Sequence, residues 1–188
     1  MERSAIDLSV LICSLEERKD SLTFLLNKLS EQKNDSTEIL YEIDNREITI
    51  GQKRNKLLSR ANGKYVCFID DDDDISDRYL PLIYKAIENG PDCIGLHGLL
   101  YFKDKVLDFY HSIQFQDWYT GVDGYYRTPN HLNPVKRKLA LKIMFPEMNF
   151  GEDQEYSKRI RNLIKTEKYI PEPIYFYKLG EKYELPVD

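Results

Sequence analysis

Five consecutive aspartates, Asp70–Asp74, are the residues of this sequence whose type and spacing most directly suggest chemistry. They follow an apolar segment, KYVCFI at 64–69, that has the length and composition of a buried strand. Alternate residues of an extended turn point the same way, so Asp70 and Asp72 can share one hard cation such as magnesium or manganese. The alternative is a solvated acidic loop at the start of the next helix, where the helix dipole favours carboxylates. The position of the run directly after a buried strand favours the cation site.

The segments before this run alternate regularly between strand and helix patterns. Strand-like segments cover 6–13, 37–43 and 64–69, and helical patterns cover 15–33 and 51–61. This order predicts an α/β fold in which helices flank a sheet that is parallel in its N-terminal half. Ligands of such sheets bind beyond the carboxyl ends of the strands. Ser14, Asp44 and the aspartate run stand at three such ends, so we expect them to meet in one crevice.

The remainder of the chain mixes both kinds of element. The pattern predicts a helix with Pro81 in its first turn, two or three strands within 92–118, a loop over 119–130, a helix from Asn133–Pro134 through Ile143, a helix after Gly151 and an extended tail over 168–179. No internal repeat or linker divides the sequence, and its length suits one domain.

Composition limits the class of protein. The 188 residues are 41% hydrophobic and 31% charged, which is typical of a folded domain rather than a disordered chain. No segment approaches the roughly 18 uncharged residues of a membrane span, and the N-terminus lacks the features of a secretion signal, so we expect a cytoplasmic protein without a transmembrane segment. Cys13, Cys67 and Cys93 lie in or beside apolar runs, and we expect reduced core thiols. The net charge of −5 gives no overall basic footprint for nucleic acid, although basic residues cluster at 53–60 and 136–138.

Four blocks of the sequence, in order, resemble the family 2 glycosyltransferases, which have the GT-A fold. They are LSVLICSLEER (8–18), GQKRNKLLSRANGKYVCFIDDDDD (51–74), NFGEDQEYSKRI (149–160) and IPEPIYFYKL (170–179). The resemblance implies a GT-A (Rossmann-like) α/β fold with a mostly parallel central sheet and a small antiparallel portion on the acceptor side. It also implies a single domain over 1–188, in which about 1–97 form the nucleotide-sugar-binding half and about 98–188 the acceptor-binding half. The implied activity is metal-dependent, inverting transfer of a sugar from a nucleotide sugar to a hydroxyl acceptor.

The resemblance also implies which residues hold the donor. Asp44 matches the acidic residue that binds the base of a uridine donor, so a UDP-sugar is expected. Ser14 matches the turn that packs against the same base. Arg54 matches a basic residue near the nucleotide, where its planar guanidinium suits phosphate oxygens.

The aspartate run resembles the Asp-x-Asp metal motif of the family. Asp70 matches the first aspartate, near the ribose and the metal, and Asp72 matches the direct ligand of manganese or magnesium. Because five aspartates follow one another, the register is open by one residue, and Asp71 or Asp73 can take one of these roles. His131, in a polar Asn-His-Leu-Asn-Pro segment, is a candidate for the metal, the diphosphate or the acceptor side; the alternative is a polar segment that caps a helix.

Asp153 matches the catalytic base of the family, and Glu152 matches a helper that orients the base or touches the acceptor. The simpler interpretation of the Gly-Glu-Asp sequence is the start of a helix, since carboxylates are favoured in a first turn. Trp118 and Tyr119 can form a platform on which a sugar stacks, although a lone tryptophan beside an aromatic strand is often part of the core.

Other functions stay open at this point. The basic clusters are compatible with a transferase acting on hydroxymethylated DNA bases. A nucleotidyltransferase has a similar sheet, but it usually carries a glycine-rich loop after the first strand, where this chain has Cys-Ser-Leu-Glu-Glu. A non-catalytic nucleotide-sugar-binding module would keep the fold without needing Asp72 or Asp153.

Overall fold

Ten strands and five helices form within residues 5–178, the part of the chain that the computed structural model describes. The strands are β1 (Leu8–Leu15), β2 (Thr37–Asp44), β3 (Tyr65–Phe68), β4 (Asp74–Ile75), β5 (Cys93–Phe102), β6 (Lys105–His111), β7 (Tyr119–Gly121), β8 (Gly124–Arg127), β9 (Val135–Lys136) and β10 (Glu167–Lys178). The helices are α1 (Lys19–Ser30), α2 (Ile50–Arg60), α3 (Tyr79–Ile87), α4 (Arg137–Ile143) and α5 (Glu152–Arg161), and a short 3-10 turn covers Glu16–Arg18. Predictions that involve residues 1–4 and 179–188 lie outside the described residues.

All of these strands belong to one sheet. Its order is β2-β1-β3-β9-β5-β6-β8-β7, and β10 pairs with both β5 and β4. Parallel pairing joins β1 to β2 and β3, β5 to β10, and β6 to β8. Antiparallel pairing joins β5 to β6 and β7 to β8, and the two-residue strands β4 and β9 also pair antiparallel, β4 with β10 and β9 with β3 and β5. The predicted α/β class, with a mostly parallel sheet and a smaller antiparallel portion, is confirmed.

Helices cover both faces of the sheet and so bury the first strand completely. On one face α1 packs against β1 and α3 packs against β5 and β10, and Leu25 and Ile83 join the same core cluster. On the other face α2 and α5 contribute Leu57 and Tyr156, and α4 packs beside them. A strand covered on both sides is mainly apolar, which is why β1, apart from Ser9 and Ser14, shows no alternation of apolar and polar residues. Each fully buried aliphatic side chain contributes about 1.5–3 kcal/mol relative to exposure.

Local signals explain where α2 begins and why a neighbouring loop lies close to it. Thr49 caps the helix: its side chain accepts from the backbone N–H of Gln52, and the Gln52 side chain accepts from the backbone N–H of Thr49. Gly51 approaches the loop before α5, since a Cβ at this position would lie 1.8 Å from the carbonyl oxygen of Pro146. Glycine at 51 therefore allows the loop that precedes Glu152 to pack on α2.

The cysteine prediction is confirmed. Cys13, Cys67 and Cys93 are free and buried. Burial raises the pKa of the Cys13 and Cys67 thiols to about 12. Among the described residues, no helix is long and apolar enough to cross a membrane.

Several predicted boundaries were wrong. The predicted loop over 119–130 contains the β7–β8 hairpin, in which the rings of Tyr119 and Tyr126 stack with centroids 4.8 Å apart. The helix predicted from Asn133–Pro134 begins only at Arg137, because Val135 and Lys136 pair with β3. The helix predicted over 15–33 is shorter, and β1 continues one residue beyond Ser14. The strands β7, β8 and β9 have 3, 4 and 2 residues, which is too short for a periodicity of apolar residues to be visible in the sequence.

Candidate active site

One open cleft of about 550 Å³ lies at the carboxyl end of β3 and the N-terminus of α5. Its walls include Arg54, Asp70, His131, Glu152 and Asp153. These five residues come from α2, the end of β3, the loop before β9 and the first turn of α5. The predicted catalytic residues thus share one cleft with the first aspartate of the acidic run.

Asp70 is the residue that joins these groups. Its Oδ1 lies 3.3 Å from Arg54 Nη2, and its Oδ2 lies 3.3 Å from His131 Nε2. The backbone N–H of Asp70 donates to the hydroxyl of Tyr175 at 3.2 Å. Burial alone would raise the pKa of Asp70, but the charges of His131 and Arg54 outweigh it and hold the pKa below its usual value. Asp70 is therefore an ionised carboxylate fixed at the strand end.

The next two aspartates face the turn after β1. Asp71 is buried and accepts from Ser14 Oγ at 2.6 Å and from Arg18 Nη1 at 2.9 Å. Asp72 is half exposed, and its Oδ2 lies 2.9 Å from the same Arg18 nitrogen. Burial and the charges of Asp70 and Asp71 raise the pKa of Asp72 despite the opposing effect of Arg18. Asp71 is thus tied to Ser14, and Arg18 links Asp71 to Asp72.

The last two aspartates are tied to the fold. Asp73 is buried, accepting from the Tyr175 hydroxyl at 2.7 Å and from the backbone N–H of Lys178 at 3.0 Å. Asp74 accepts from Lys28 Nζ at 2.9 Å. Both residues thereby fasten the run to β10 and α1, whereas Asp70 lines the cleft and Asp71 and Asp72 contact the turn after β1.

Arg54 and Lys53, which belong to the basic cluster at 53–60, are buried. The guanidinium of Arg54 stands over the rings of Phe68 and Phe145 at 5.2 and 5.5 Å. Its Nε lies 3.4 Å from Glu152 Oε1, yet Nε and Nη1 make no hydrogen bond to described residues. Arg54 thus connects Asp70 to Glu152 and keeps donors available at the floor of the cleft.

Asp44 is held at the end of β2 by Lys53. Lys53 Nζ bonds to Asp44 Oδ1 and donates to the carbonyl oxygen of Ser14 at 2.7 Å. Burial opposes ionisation of Asp44, but the hydrogen bond from Lys53 and the backbone N–H of Ile48 lower its pKa. The two predicted base-contacting residues, Ser14 and Asp44, therefore lie side by side at adjacent strand ends.

The first turn of α5 presents the two predicted catalytic carboxylates. Gly151 has φ 76°, a left-handed conformation that favours glycine, immediately before Glu152. Asp153 Oδ2 lies 3.9 Å from His131 Nδ1, a buried nitrogen without a hydrogen-bond partner among the described residues. Burial and the charge of Asp153 raise the pKa of Glu152, and Arg54 opposes this rise. His131 lies between Asp70 and Asp153, so it belongs to the site rather than to a helix cap.

The acidic run has the chemistry of a divalent cation site. Among the described residues, no group of three or more His, Cys, Asp or Glu side chains is arranged to hold a metal by itself. Asp70 and Asp72 offer hard carboxylate oxygens, and the pKa of Asp72 is raised by burial and by the charges of Asp70 and Asp71, the latter of which a cation would offset. These residues fit magnesium or manganese, which commonly complete their shells with water and substrate phosphates.

Sequence reasoning did not identify three side chains of this region. Arg18 bridges Asp71 and Asp72, Tyr175 holds the backbone of Asp70, and Arg127 lies in the wall of the cleft. Arg18 had a recognisable signal, since it follows the end of the first strand. Trp118 also lines the cleft, but the guanidinium of Arg127 covers its ring at 5.2 Å, which leaves less of it for sugar stacking.

Comparisons with known proteins agree with this arrangement. The family described as Glycosyl transferase family 2 matches residues 41–154. EpsH of Bacillus subtilis (strain 168), whose glycosyltransferase assignment is itself provisional, is 26% identical over an alignment of 143 positions that covers 69% of this chain and 42% of EpsH. The chain therefore spans less than half the length of this relative.

Solved glycosyltransferases share the fold. The structure of S. aureus TarS 1–349 in complex with UDP-GlcNAc matches with a TM-score of 0.71 and 18% identity, over 95% of this chain and 60% of TarS. Mannosyltransferase PcManGT from Pyrobaculum calidifontis, in complex with GDP-Man and Mn²⁺, matches with a TM-score of 0.65 and 13% identity, over 95% of this chain and 59% of PcManGT. At this identity the likeness shows the fold, which is GT-A as predicted.

Proposed function

The chain belongs to glycosyl transferase family 2, and on that premise we propose that it transfers a sugar from a nucleotide-sugar donor to a hydroxyl group of an acceptor. The observation that carries this proposal is the meeting of Asp70, Arg54, His131, Glu152 and Asp153 in one cleft at the carboxyl end of the sheet. A donor, a metal and a base have to be adjacent for such a transfer, and this cleft provides residues for each.

We propose that the donor is a UDP-sugar bound over the ends of β1, β2 and β3. Asp44 and Ser14 are adjacent there and suit the base, although Lys53 already shares an oxygen of Asp44. The solved structures with UDP-GlcNAc and with GDP-Man support a nucleotide sugar in general. Asp70 and Asp72 would hold manganese or magnesium, which supplies positive charge to the departing diphosphate.

Asp153 is the proposed catalytic base for a transfer with inversion. The acceptor oxygen attacks the anomeric carbon, its proton passes to Asp153, and the bond from that carbon to the diphosphate oxygen breaks with its electron pair leaving on the diphosphate. Glu152, held beside Arg54, positions the first turn of α5 and so the base. The domain division into a donor half at about 1–97 and an acceptor half at about 98–188 remains part of this proposal, as does a cytoplasmic location.

The test combines donor binding with donor hydrolysis. We expect UDP-sugars with manganese to raise the melting temperature, since ligand at a hundredfold excess over its dissociation constant stabilises a protein by about 2.7 kcal/mol. Asp72→Asn should lose this stabilisation, and Asp77→Asn, a nearby aspartate with a 92% exposed side chain, should keep it.

Release of UDP from the donor, with water as acceptor, then tests whether Asp153 is the catalytic base. Asp153→Asn should bind donor normally but hydrolyse it roughly 100-fold more slowly, a typical loss for a general base. Glu155→Gln, on the same helix, is the matched control and should hydrolyse at the wild-type rate. No stabilisation by any nucleotide sugar, with or without manganese, would contradict the donor site. Hydrolysis by Asp153→Asn at the wild-type rate would contradict the assignment of Asp153 as the base.

A further inference from the structure

Arg127 lines the cleft but has no role in the proposed transfer reaction. It ends β8, and its side chain lines the same cleft as Arg54 and Asp153. Arg54 lies on the donor side and contacts Asp70. Arg127 comes from the antiparallel portion of the sheet, on the side of the proposed acceptor half.

The side chain of Arg127 is held in a fixed position. Its guanidinium stands 5.2 Å from the ring centres of both Trp118 and Tyr125. Its Nη1 donates to the carbonyl oxygens of Tyr119 at 2.7 Å and Tyr126 at 3.0 Å. One nitrogen therefore anchors the group to the β7–β8 hairpin, and aromatic rings fix its plane.

The remaining donors of Arg127 are without protein partners. Among residues 5–178, Nε and Nη2 of Arg127 donate no hydrogen bond, and no carboxylate lies within 4.0 Å of its guanidinium. Burial lowers the pKa of Arg127, and the charge of Asp153 works in the opposite direction. Burying a cation without a counter-ion costs free energy. The unpaired N–H donors of the planar guanidinium have the geometry that suits the oxygens of a phosphate or a carboxylate.

We propose that Arg127 binds an anionic group of the acceptor, so that the acceptor is a saccharide bearing a phosphate or a carboxylate near the reacting hydroxyl. The proposal rests on the proposed glycosyl transfer, and it assigns the anion to the acceptor for two reasons. Arg127 belongs to the β7–β8 hairpin of the proposed acceptor half and lines the cleft together with the proposed base, Asp153. The donor diphosphate is expected near Asp70 and Asp72, neither of which is within ion-pair distance of Arg127 among the described residues.

The experiment compares charged and neutral sugars on protein saturated with UDP and manganese, so that the donor site is filled. Isothermal titration measures the binding of glucose 6-phosphate against glucose and of methyl glucuronide against methyl glucoside. We expect at least one charged sugar to bind the wild type about tenfold or more tightly than its neutral partner. Arg127→Gln should reduce the ratio towards one, and Arg127→Lys should keep part of it as a point charge. Arg78→Gln, at an exposed arginine paired with Glu172, is the matched control and should keep the wild-type ratio.

Three results would overturn the proposal. Equal binding of charged and neutral sugars by the wild type would do so even if the Arg127 variants failed to fold. An unchanged ratio in a folded Arg127→Gln would remove Arg127 from the site. In a parallel arm, a preference for UDP-glucuronic acid over UDP-glucose that depended on Arg127 would assign the anion to the donor. The melting temperature of the same samples, with and without UDP and manganese, tests donor binding separately. Failure of the proposed function would remove this stabilisation, whereas failure of the present inference alone would leave it unchanged.

Discussion

Replacement of Arg54 by methionine should destabilise the protein strongly and in a pH-dependent way. Methionine keeps an unbranched stem against Phe68 and Phe145 but removes the charge between Asp70 and Glu152. Removal of one partner from a buried ion pair costs about 3–5 kcal/mol, because the other charge stays buried without compensation. Asp70 keeps its contact with His131 in the variant. We therefore expect the free energy of unfolding to fall by an amount near the lower end of this range, about 3 kcal/mol at about pH 8. This corresponds to a roughly 100-fold lower ratio of folded to unfolded protein.

The sign of the pH dependence follows from Glu152. Its pKa is already raised in the native protein, and Arg54 is the group that limits the rise. Without Arg54, the native pKa of Glu152 lies further above its unfolded value. A carboxyl group whose native pKa lies above its unfolded pKa lowers the free energy of unfolding as the pH rises above the unfolded pKa. At lower pH the group is protonated in both states, and this destabilisation disappears. The loss caused by Arg54→Met should therefore be smaller at about pH 5 than at about pH 8.

Urea unfolding followed by circular dichroism at both pH values measures these losses, each as a difference from wild type at the same pH. The double variant Arg54→Met with Glu152→Gln should recover part of the stability at about pH 8, because the buried charge is removed with its partner. Arg60→Met is the control: Arg60 is an exposed residue of the same helix, paired with Glu42, and its loss should cost no more than about 1 kcal/mol. Equal losses at both pH values, with no recovery in the double variant, would refute the role given to Arg54.

Two further predictions concern buried groups. Tyr175→Phe removes a hydroxyl that donates to Asp73 and accepts from the backbone of Asp70, so we expect a loss of about 1–3 kcal/mol in urea unfolding and weaker metal-dependent donor binding in the melting assay; wild-type values for both would contradict it. Burial raises the pKa of Cys13 and Cys67 to about 12, so a colorimetric disulfide reagent at about pH 8 should label these thiols only after denaturant is added. Rapid labelling of the native protein would show that they are accessible.

The sheet and the position of the site could be predicted because their signals are local. Strand length, helical spacing and turn residues predicted the order of β1 to β3, and the carboxyl-end rule then predicted that Ser14 lies near Asp44 and near the aspartate run, where it contacts Asp71. The β7–β8 hairpin was missed because strands of three and four residues show no periodicity. The contacts of Arg54 also depend on tertiary structure, since its carboxylate neighbour Glu152 is far away in the sequence.

The same reasoning explains how five adjacent carboxylates can serve one site. Four of them have hydrogen-bond partners of their own: Arg54 and His131 at Asp70, Ser14 and Arg18 at Asp71, Tyr175 at Asp73, and Lys28 at Asp74. Asp72 shares with Asp71 the single Arg18 nitrogen that it contacts, and it is the half-exposed member of the run whose pKa is raised by its neighbours. The four partnered aspartates fix the geometry of the run. Asp72 has only the contact with Arg18 that it shares with Asp71, so a divalent cation brought by the donor would gain most from its carboxylate.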